Sequence, residues 1–134
     1  MQQVRSNPPA LAKLAASNQF SSAVRVGNTI WLSGTVGIGP DRKPVEGMTA
    51  QAHLAFEHLR NALIAAGSCL EDVVELTTYH TALQRDLAAF FAVKYEVFRK
   101  DYPAWTAVGI SQLSYPGFLI EIRAVAVAGS GSKE

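Results

Sequence analysis

The sequence has one cysteine, almost no net charge and no long apolar run, and each shortage narrows its possible functions. Its single thiol, Cys69, allows neither an intramolecular disulfide nor a cysteine metal cluster, and we expect it to be a small buried apolar residue. The formal net charge of +1 comes from scattered lysines and arginines, which predicts no nucleic-acid partner. No run is long enough for a membrane span or a signal peptide, so we expect a cytoplasmic protein without a membrane partner.

Motifs for bound cofactors are missing as well. The sequence contains no phosphate-binding loop, no dinucleotide fingerprint and no serine-histidine-acid order typical of nucleophilic hydrolases. His53 and His58 lie five residues apart on a predicted helix, so they do not share a face and do not form a metal-ligand pair. We therefore expect neither a metal nor a cofactor.

What the sequence does contain is apolar surface in excess. Hydrophobic residues make up 49% of 134 positions and charged residues only 17%, which predicts one domain over residues 1–134. This apolar content is more than a small monomer needs to fill its core, so association between subunits is the expected outlet. The glycine- and serine-rich composition of residues 129–134 predicts a flexible tail.

Periodicity predicts an α+β domain with the element order ββ-αβ-αββ. Two strands within residues 22–36 flank Gly27-Asn28, a dipeptide typical of a hairpin turn. A helix capped by Thr49 is followed by Gly67, which supplies the left-handed C-terminal position. The inward stripe of this helix is predicted from its spacing of three and four: Ala52, Ala55, Phe56, Leu59, Leu63 and Ala66.

The second half of the chain repeats this plan. A strand within residues 70–81 precedes a helix capped by Asp86, which ends before Pro103. Strands at 105–113 and 118–127 are joined by a turn at 114–117, so we expect them to pair antiparallel and to bring Trp105 near Glu121. The predicted sheet is mixed, and two helices can cover only one of its faces.

The last strand shows why the second face needs a partner. Ile120, Ile122, Ala124 and Ala126 alternate with a second set of side chains that point the other way. That second set is still largely apolar: Leu119, Glu121, Arg123, Val125 and Val127. Self-association through the sheet is the expected result.

Three polar residues are candidates for chemistry, and each has two interpretations. Glu121, a lone carboxylate among aliphatic residues, is costly to bury unless it is catalytic or forms an ion pair with a cation such as Arg123. His80, at a predicted strand end, either relays a proton or is a hydrogen-bonded structural residue. Lys94 lies at the border of an apolar helix stripe, where its ammonium either reaches a cleft or extends into water.

Longer stretches of the chain resemble the Rid family, also called YjgF-like proteins. The similarity lies in residues 26–34 (VGNTIWLSG), 102–109 (YPAWTAVG) and 119–126 (LIEIRAVA) and extends over nearly the whole chain. It implies a chorismate-mutase-like homotrimer with small-molecule clefts between subunits that hydrolyse enamines or imines to keto acids and ammonia. In such a cleft Glu121 would orient the attacking water, and Ser33 and Gly34 would let the ligand approach the backbone.

Four positions depart from the family pattern. The arginine that grips the substrate carboxylate is replaced by Trp105, a tyrosine by Phe20, a frequent cysteine by Ala107 and a frequent asparagine by Lys94. This set resembles the arginine-less, YjgH-like branch of the family. Loss of the bidentate arginine predicts weaker binding of 2-iminopropanoate by roughly 2–5 kcal/mol.

These departures leave two functions open. Glu121 favours a hydrolase with an altered substrate, whereas Trp105 favours a non-catalytic module that binds a small aromatic or heterocyclic metabolite. Ribonuclease action, attributed to some relatives of this family, receives no support from the near-neutral charge.

Overall fold

The computed structural model describes residues 1–131, which form a single α+β domain. In chain order its elements are β1 (Gln3–Ser6), α1 (Pro9–Asn18), β2 (Ala23–Val26), β3 (Thr29–Val36), α2 (Met48–Ala65), β4 (Val73–His80), α3 (Leu83–Val97), β5 (Ala104–Gly109) and β6 (Ile120–Val127). A short 3-10 turn, Leu70–Asp72, precedes β4. The predicted ββ-αβ-αββ order is confirmed from β2 onward.

Strand β1 was not predicted, and for α1 the sequence indicates only a short helical turn over residues 10–16, because Pro8-Pro9 interrupts the pattern before it. In α1 these two prolines instead open the helix, with Pro8 at the N-cap and Pro9 in the first turn. Proline costs little there because its missing N–H would have no partner within the helix. Strand β1 pairs antiparallel with β2 but is largely exposed, so it shows no apolar alternation.

The strand order corrects one prediction that matters for the site. The sheet runs β1-β2-β3-β6-β4-β5, with β5 parallel to β4 at the edge and β6 antiparallel to both β3 and β4. Strands β5 and β6 are therefore not paired, and β4 separates Trp105 from Glu121. The physical reason is α3, which forms a crossover between β4 and the parallel β5, whereas residues 110–119 carry the chain past β4.

Both predicted side-chain caps were wrong. Helix α2 begins at Met48 after Gly47, whose φ of 87° favours glycine, and Thr49 lies inside the first turn. Helix α3 begins at Leu83, which places Asp86 within its first turn, where it pairs with Arg85. The other end of α2 is as predicted, because Gly67 has a φ of 81°.

The two faces of the sheet differ in their cover. Helices α2 and α3 pack on one face, where the inward residues of β6 and the predicted stripe of α2 join one apolar core. On the opposite face, here called the open face, Glu121, Arg123, Val125 and Val127 of β6 are only half-buried. The predicted alternation is thus confirmed. None of the helices within residues 1–131 is long and apolar enough to cross a bilayer.

The end of β6 is anchored rather than loose. The backbone N–H groups of Gly129 and Gly131 donate hydrogen bonds to the buried Asp72 carboxylate at 3.0 and 2.9 Å. The flexible tail predicted over residues 129–134 stays a prediction, because residues 132–134 lie outside the described part of the chain. Cys69, in the loop before Asp72, is half-buried and not buried as expected, because this loop lies at the surface.

Candidate functional site

Glu121 lies at the centre of the open face, directly beside a glycine. Its neighbours across the sheet are Val36 on β3 and Tyr79 on β4. A Cβ atom at Gly34 would lie 2.5 Å from Glu121 Oε2 and 2.8 Å from its Cγ, so a larger residue at position 34 would force this carboxylate to move. Gly34 also lies where the register between β3 and β6 shifts, which interrupts regular pairing at this point. The predicted proximity of Gly34 and Glu121 is therefore observed.

The carboxylate of Glu121 has no compensating cation among the residues that the structure describes. Within residues 1–131 it forms no ion pair, with Arg123 or with any other group. Burial raises the pKa of Glu121 above its ordinary value, because a half-buried site disfavours the charged form. A structural ion pair with Arg123, the alternative that the sequence left open, is absent from the described chain.

Ser33 and Phe20 lie near Gly34, but they line a cavity to which Glu121 does not contribute. Both line a small cavity of about 30 Å³, together with Gly34, beneath α1. The hydroxyl of Ser33 donates to Ser21 O at 2.6 Å and its N–H donates to Ser22 O at 3.0 Å. In this chain the hydroxyl and the N–H of Ser33 therefore already donate hydrogen bonds within the protein, and these bonds link β3 to the residues before β2.

Trp105 and Lys94 form a second group on the helix-covered face. Trp105 pairs with Leu76 across β4 and β5, and its side chain packs against α3, with its ring centroid 6.1 Å from that of Phe90. The Nζ atom of Lys94 lies 4.3 Å from the Trp105 ring centroid and 5.7 Å from the Tyr102 ring centroid. The Lys94 ammonium thus sits in an aromatic environment suited to cation–π attraction.

The space around this group is a pocket of about 300 Å³, here called the aromatic pocket. It is lined by Phe91, Lys94, Tyr95, Phe98, Tyr102, Pro103 and Trp105. Lys94 is only 6% exposed, so it is not the solvent-extended lysine that one interpretation of the sequence allowed. It has no carboxylate partner among the described residues, and burial lowers its pKa.

The candidate residues therefore fall into two groups on opposite faces of one sheet. Glu121 and Gly34 meet on the open face, whereas Trp105, Lys94 and Ala107 lie toward α3. The expectation that Trp105 and Glu121 approach each other within one chain is wrong, because β4 lies between their strands. Any site that uses both groups needs a second copy of the chain.

His80 supports Trp105 from inside the core. It is fully buried, and its Nε2 lies 2.8 Å from Thr78 Oγ1, which also accepts the Trp105 Nε1–H at 3.0 Å. Burial lowers the pKa of His80, with Asp86 acting in the opposite direction. His80 Nδ1 is buried without a partner among residues 1–131. This geometry links His80 to Trp105 through the hydroxyl of Thr78.

Sequence reasoning missed the aromatic walls of the pocket. Phe91 and Tyr95 are four residues apart on α3 and more than half exposed, and Tyr102 is also exposed. Helical spacing was informative here: residues 91, 94, 95 and 98 share one face, so Lys94 was flanked by aromatic residues in the sequence itself. Thr78 was not singled out either, because a threonine in a strand has no distinctive pattern.

Fold and site together define a small α+β protein with a half-buried sheet carboxylate, Glu121, and a buried lysine, Lys94, neither of which forms an ion pair within residues 1–131. The chain belongs to the Rid/YjgF family: residues 10–128 match the family model described as Endoribonuclease L-PSP. It is 36% identical to the RutC family protein YjgH of Escherichia coli over 120 residues, covering 89% of this chain and 90% of that protein. It is 33% identical to the mouse 2-iminobutanoate/2-iminopropanoate deaminase over 86% of this chain and 85% of that enzyme.

Solved structures agree with this assignment. The structure of protein YjgH superimposes with a TM-score of 0.88 at 33% identity, covering 96% of this chain and 98% of the other. RidA from an Antarctic Psychrobacter bacterium gives a TM-score of 0.76 at 36% identity, with 81% and 87% covered. Distant relatives are thus imine deaminases, and the fold is theirs.

Proposed function

We propose that this protein is a hydrolase that acts on C–N bonds of small enamines or imines, in clefts between the subunits of a homotrimer. The observation that carries the proposal is Glu121, a half-buried carboxylate with a raised pKa and no ion pair within the described chain. Such a group can accept a proton from water as it attacks the C=N carbon and then return one to the departing amine. Family membership supports the same role.

The cleft in this proposal combines the two groups from different subunits. The open face of one chain contributes Glu121 and Gly34, and the β5 edge of the next contributes Trp105 and Lys94. Glycine at position 34 keeps the carboxylate close to the backbone of β3, where a substrate can approach main-chain groups. Water exclusion on assembly would strengthen every electrostatic interaction in the cleft.

The preferred substrate in this proposal differs from that of the named deaminases. Trp105 offers an indole ring in place of a guanidinium, and Lys94 is a single point charge without bidentate geometry. A 2-imino acid would have to desolvate its carboxylate without regaining two parallel hydrogen bonds. We therefore expect less acidic enamines or imines to be better substrates than 2-iminopropanoate.

The test measures ammonia release from a panel of neutral cyclic and acyclic imines, with 2-iminopropanoate generated in situ for comparison. Glu121→Gln should lower kcat/KM on the best substrate by roughly 10²–10⁴-fold, the usual contribution of general acid–base catalysis. Glu57→Gln is the matched control, since Glu57 is an exposed carboxylate on α2, away from the open face. Equal activity of Glu121→Gln and the wild type would overturn the catalytic role.

A second candidate function is ligand binding without turnover, and the aromatic pocket favours it. Seven residues line a space large enough for a small metabolite, with one cation inside it. If thermal-shift screening finds a ligand that stabilises wild type and Glu121→Gln equally, and no panel member releases ammonia, the binding function replaces the hydrolase.

A further inference from the structure

Lys94 combines features that are unusual for a lysine on a helix. It is 6% exposed, it has no carboxylate partner among residues 1–131, and its Nζ lies against the faces of two aromatic rings. Lysines that only cover apolar surface extend their ammonium into water, and structural lysines in cores form ion pairs. Lys94 does neither, and it lines a pocket of about 300 Å³ that a small molecule can enter.

We propose that Lys94 is a nucleophile that forms a Schiff base with carbonyl or imine compounds bound in the aromatic pocket. The neutral amine of Lys94 adds to the carbonyl carbon, and the resulting carbinolamine loses water to give a C=N bond to Nζ. With an imine as the ligand, the same addition expels ammonia in place of water. Hydrolysis of the Lys94 adduct then consumes one water, releases the carbonyl product and restores the amine.

Two opposing influences set the reactivity of this amine. Burial without a counter-ion lowers the pKa of Lys94, which increases the fraction of nucleophilic neutral amine at a given pH. The rings of Trp105 and Tyr102 favour a cation, but the Schiff base itself is cationic when protonated. The rings that hold the ammonium therefore also stabilise the iminium. An arginine at position 105 would instead repel this cation, so Trp105 suits Schiff-base formation better than the arginine that the family resemblance implies there.

The lining of the pocket defines the class of ligand. Its walls are aromatic rings and Pro103, and Lys94 is the one charged residue among the described residues that line it. Once Lys94 has formed the adduct, no second cation of the pocket remains to bind a carboxylate. Uncharged aldehydes and ketones with an aromatic or apolar body are thus favoured over keto acids.

The experiment traps the adduct in the intact wild-type protein. We would incubate it at neutral pH with benzaldehyde or, separately, pyruvate in the presence of sodium cyanoborohydride, and map modified lysines by peptide mass spectrometry. Lys94 should be labelled by benzaldehyde at least tenfold faster than the exposed Lys13, Lys43 and Lys100, and faster by benzaldehyde than by pyruvate. Labelling of Lys94 no faster than that of the exposed lysines would overturn the proposal.

Two variants separate this inference from the proposed hydrolase. Lys94→Arg keeps a cation in the pocket but cannot form an imine, so it should lose the fast-labelled site and leave labelling of the other lysines unchanged. Glu121→Gln keeps the nucleophile, so Lys94 should remain the fastest-labelled lysine in this variant, although its rate can change because the proposed trimer brings Glu121 of one chain near Lys94 of the next. Fast labelling of Lys94 without ammonia release from any imine of the panel would support the Schiff base and reject the hydrolase. Ammonia release without fast labelling of Lys94 would support the hydrolase and reject the Schiff base.

Discussion

At the scale of single residues, Trp105 is tied into its surroundings on several sides. Its indole N–H donates to Thr78, its ring packs near Phe90 and Phe91, and Lys94 lies over its face. Position 105, where the family resemblance implies a carboxylate-binding arginine, therefore serves here as part of an aromatic cluster. A simple exchange back to arginine would disturb that cluster as well as restore a charge.

We expect Trp105→Arg alone to restore little activity on 2-iminopropanoate. The new guanidinium would lie beside the Lys94 ammonium, and the lost packing and hydrogen bond would cost about 3 kcal/mol of unfolding free energy. Adding Lys94→Asn removes the like charge and supplies the residue frequent in the family. The double variant should therefore have a higher kcat/KM on 2-iminopropanoate than either single variant, measured by ammonia release.

One result would contradict the expected weak activity of the wild type on 2-iminopropanoate. Wild-type turnover of 2-iminopropanoate at a rate similar to an arginine-containing relative would show that Lys94 already replaces the carboxylate clamp. In that case Lys94→Asn alone should abolish the activity, and Trp105→Arg should change it little. Urea unfolding of each variant separates loss of activity from loss of fold.

At the scale of secondary-structure elements, Asp72 joins three segments. Its carboxylate accepts hydrogen bonds from Ser68 Oγ, Gly129 N and Gly131 N at 2.7, 3.0 and 2.9 Å. Burial alone would raise the pKa of Asp72, but these hydrogen bonds outweigh it and lower the pKa to about 2. The loop after α2, the start of β4 and the chain after β6 are thereby held together.

This carboxylate should contribute to stability in a defined pH range. Because the folded pKa lies below the unfolded value of 3.8, the contribution is complete above about pH 4 and is lost as the pH falls toward 2. Asp72→Asn should lower the free energy of unfolding at pH 7 by about 2 kcal/mol and flatten its dependence between pH 4 and 2. Urea denaturation across this range measures both, with the exposed Asp101→Asn as control.

A flat pH profile in the wild type would contradict this account of Asp72. The same holds if Asp101→Asn were as destabilising as Asp72→Asn, since that would indicate a general effect of charge.

Local patterns in the sequence predicted elements well and pairings poorly. The hairpin around Gly27, the apolar stripe of α2 and the alternation in β6 follow from short-range periodicity, and all three are present. The neighbours of β5 depend on how α3 crosses the sheet, which no local pattern records. For the same reason Gly34 and Glu121 could be placed together only by resemblance, whereas the separation of Trp105 from Glu121 required the full topology.

The burial of Lys94 was beyond the sequence for a different reason. Whether a border lysine reaches water depends on what covers it, and here Tyr102 and Trp105 from the segment after α3 provide that cover. Asp72 shows the same limit, because two of its partners are backbone groups nearly sixty residues away in sequence. Contacts between residues so far apart in the chain cannot be predicted from composition or local sequence patterns.

At the scale of the whole molecule, the open face of the sheet leaves apolar side chains of a single chain exposed to water. Trp31 is 42% exposed and Val108 36% exposed, and Val125 and Val127 are only half-buried. Apolar side chains spread over one face of a sheet are costly in water, and burying them in an interface gains roughly 25 cal/mol per Å². An interface across this face would also bring Glu121 to the neighbouring chain, so assembly and site depend on the same surface.

We therefore predict that the wild type is a homotrimer at micromolar concentration, with a mass by light scattering of three times the 14.4 kDa chain. Val125→Glu places a charge in the middle of the open face and should give a folded monomer, because an unpaired buried carboxylate opposes association. Ile64→Glu is the matched control: Ile64 is an exposed apolar residue on α2, away from the sheet, and this variant should stay trimeric. A monomeric wild type would remove the cleft between subunits and with it the proposed meeting of Glu121 and Trp105, whereas a trimeric Val125→Glu would place the interface on another surface.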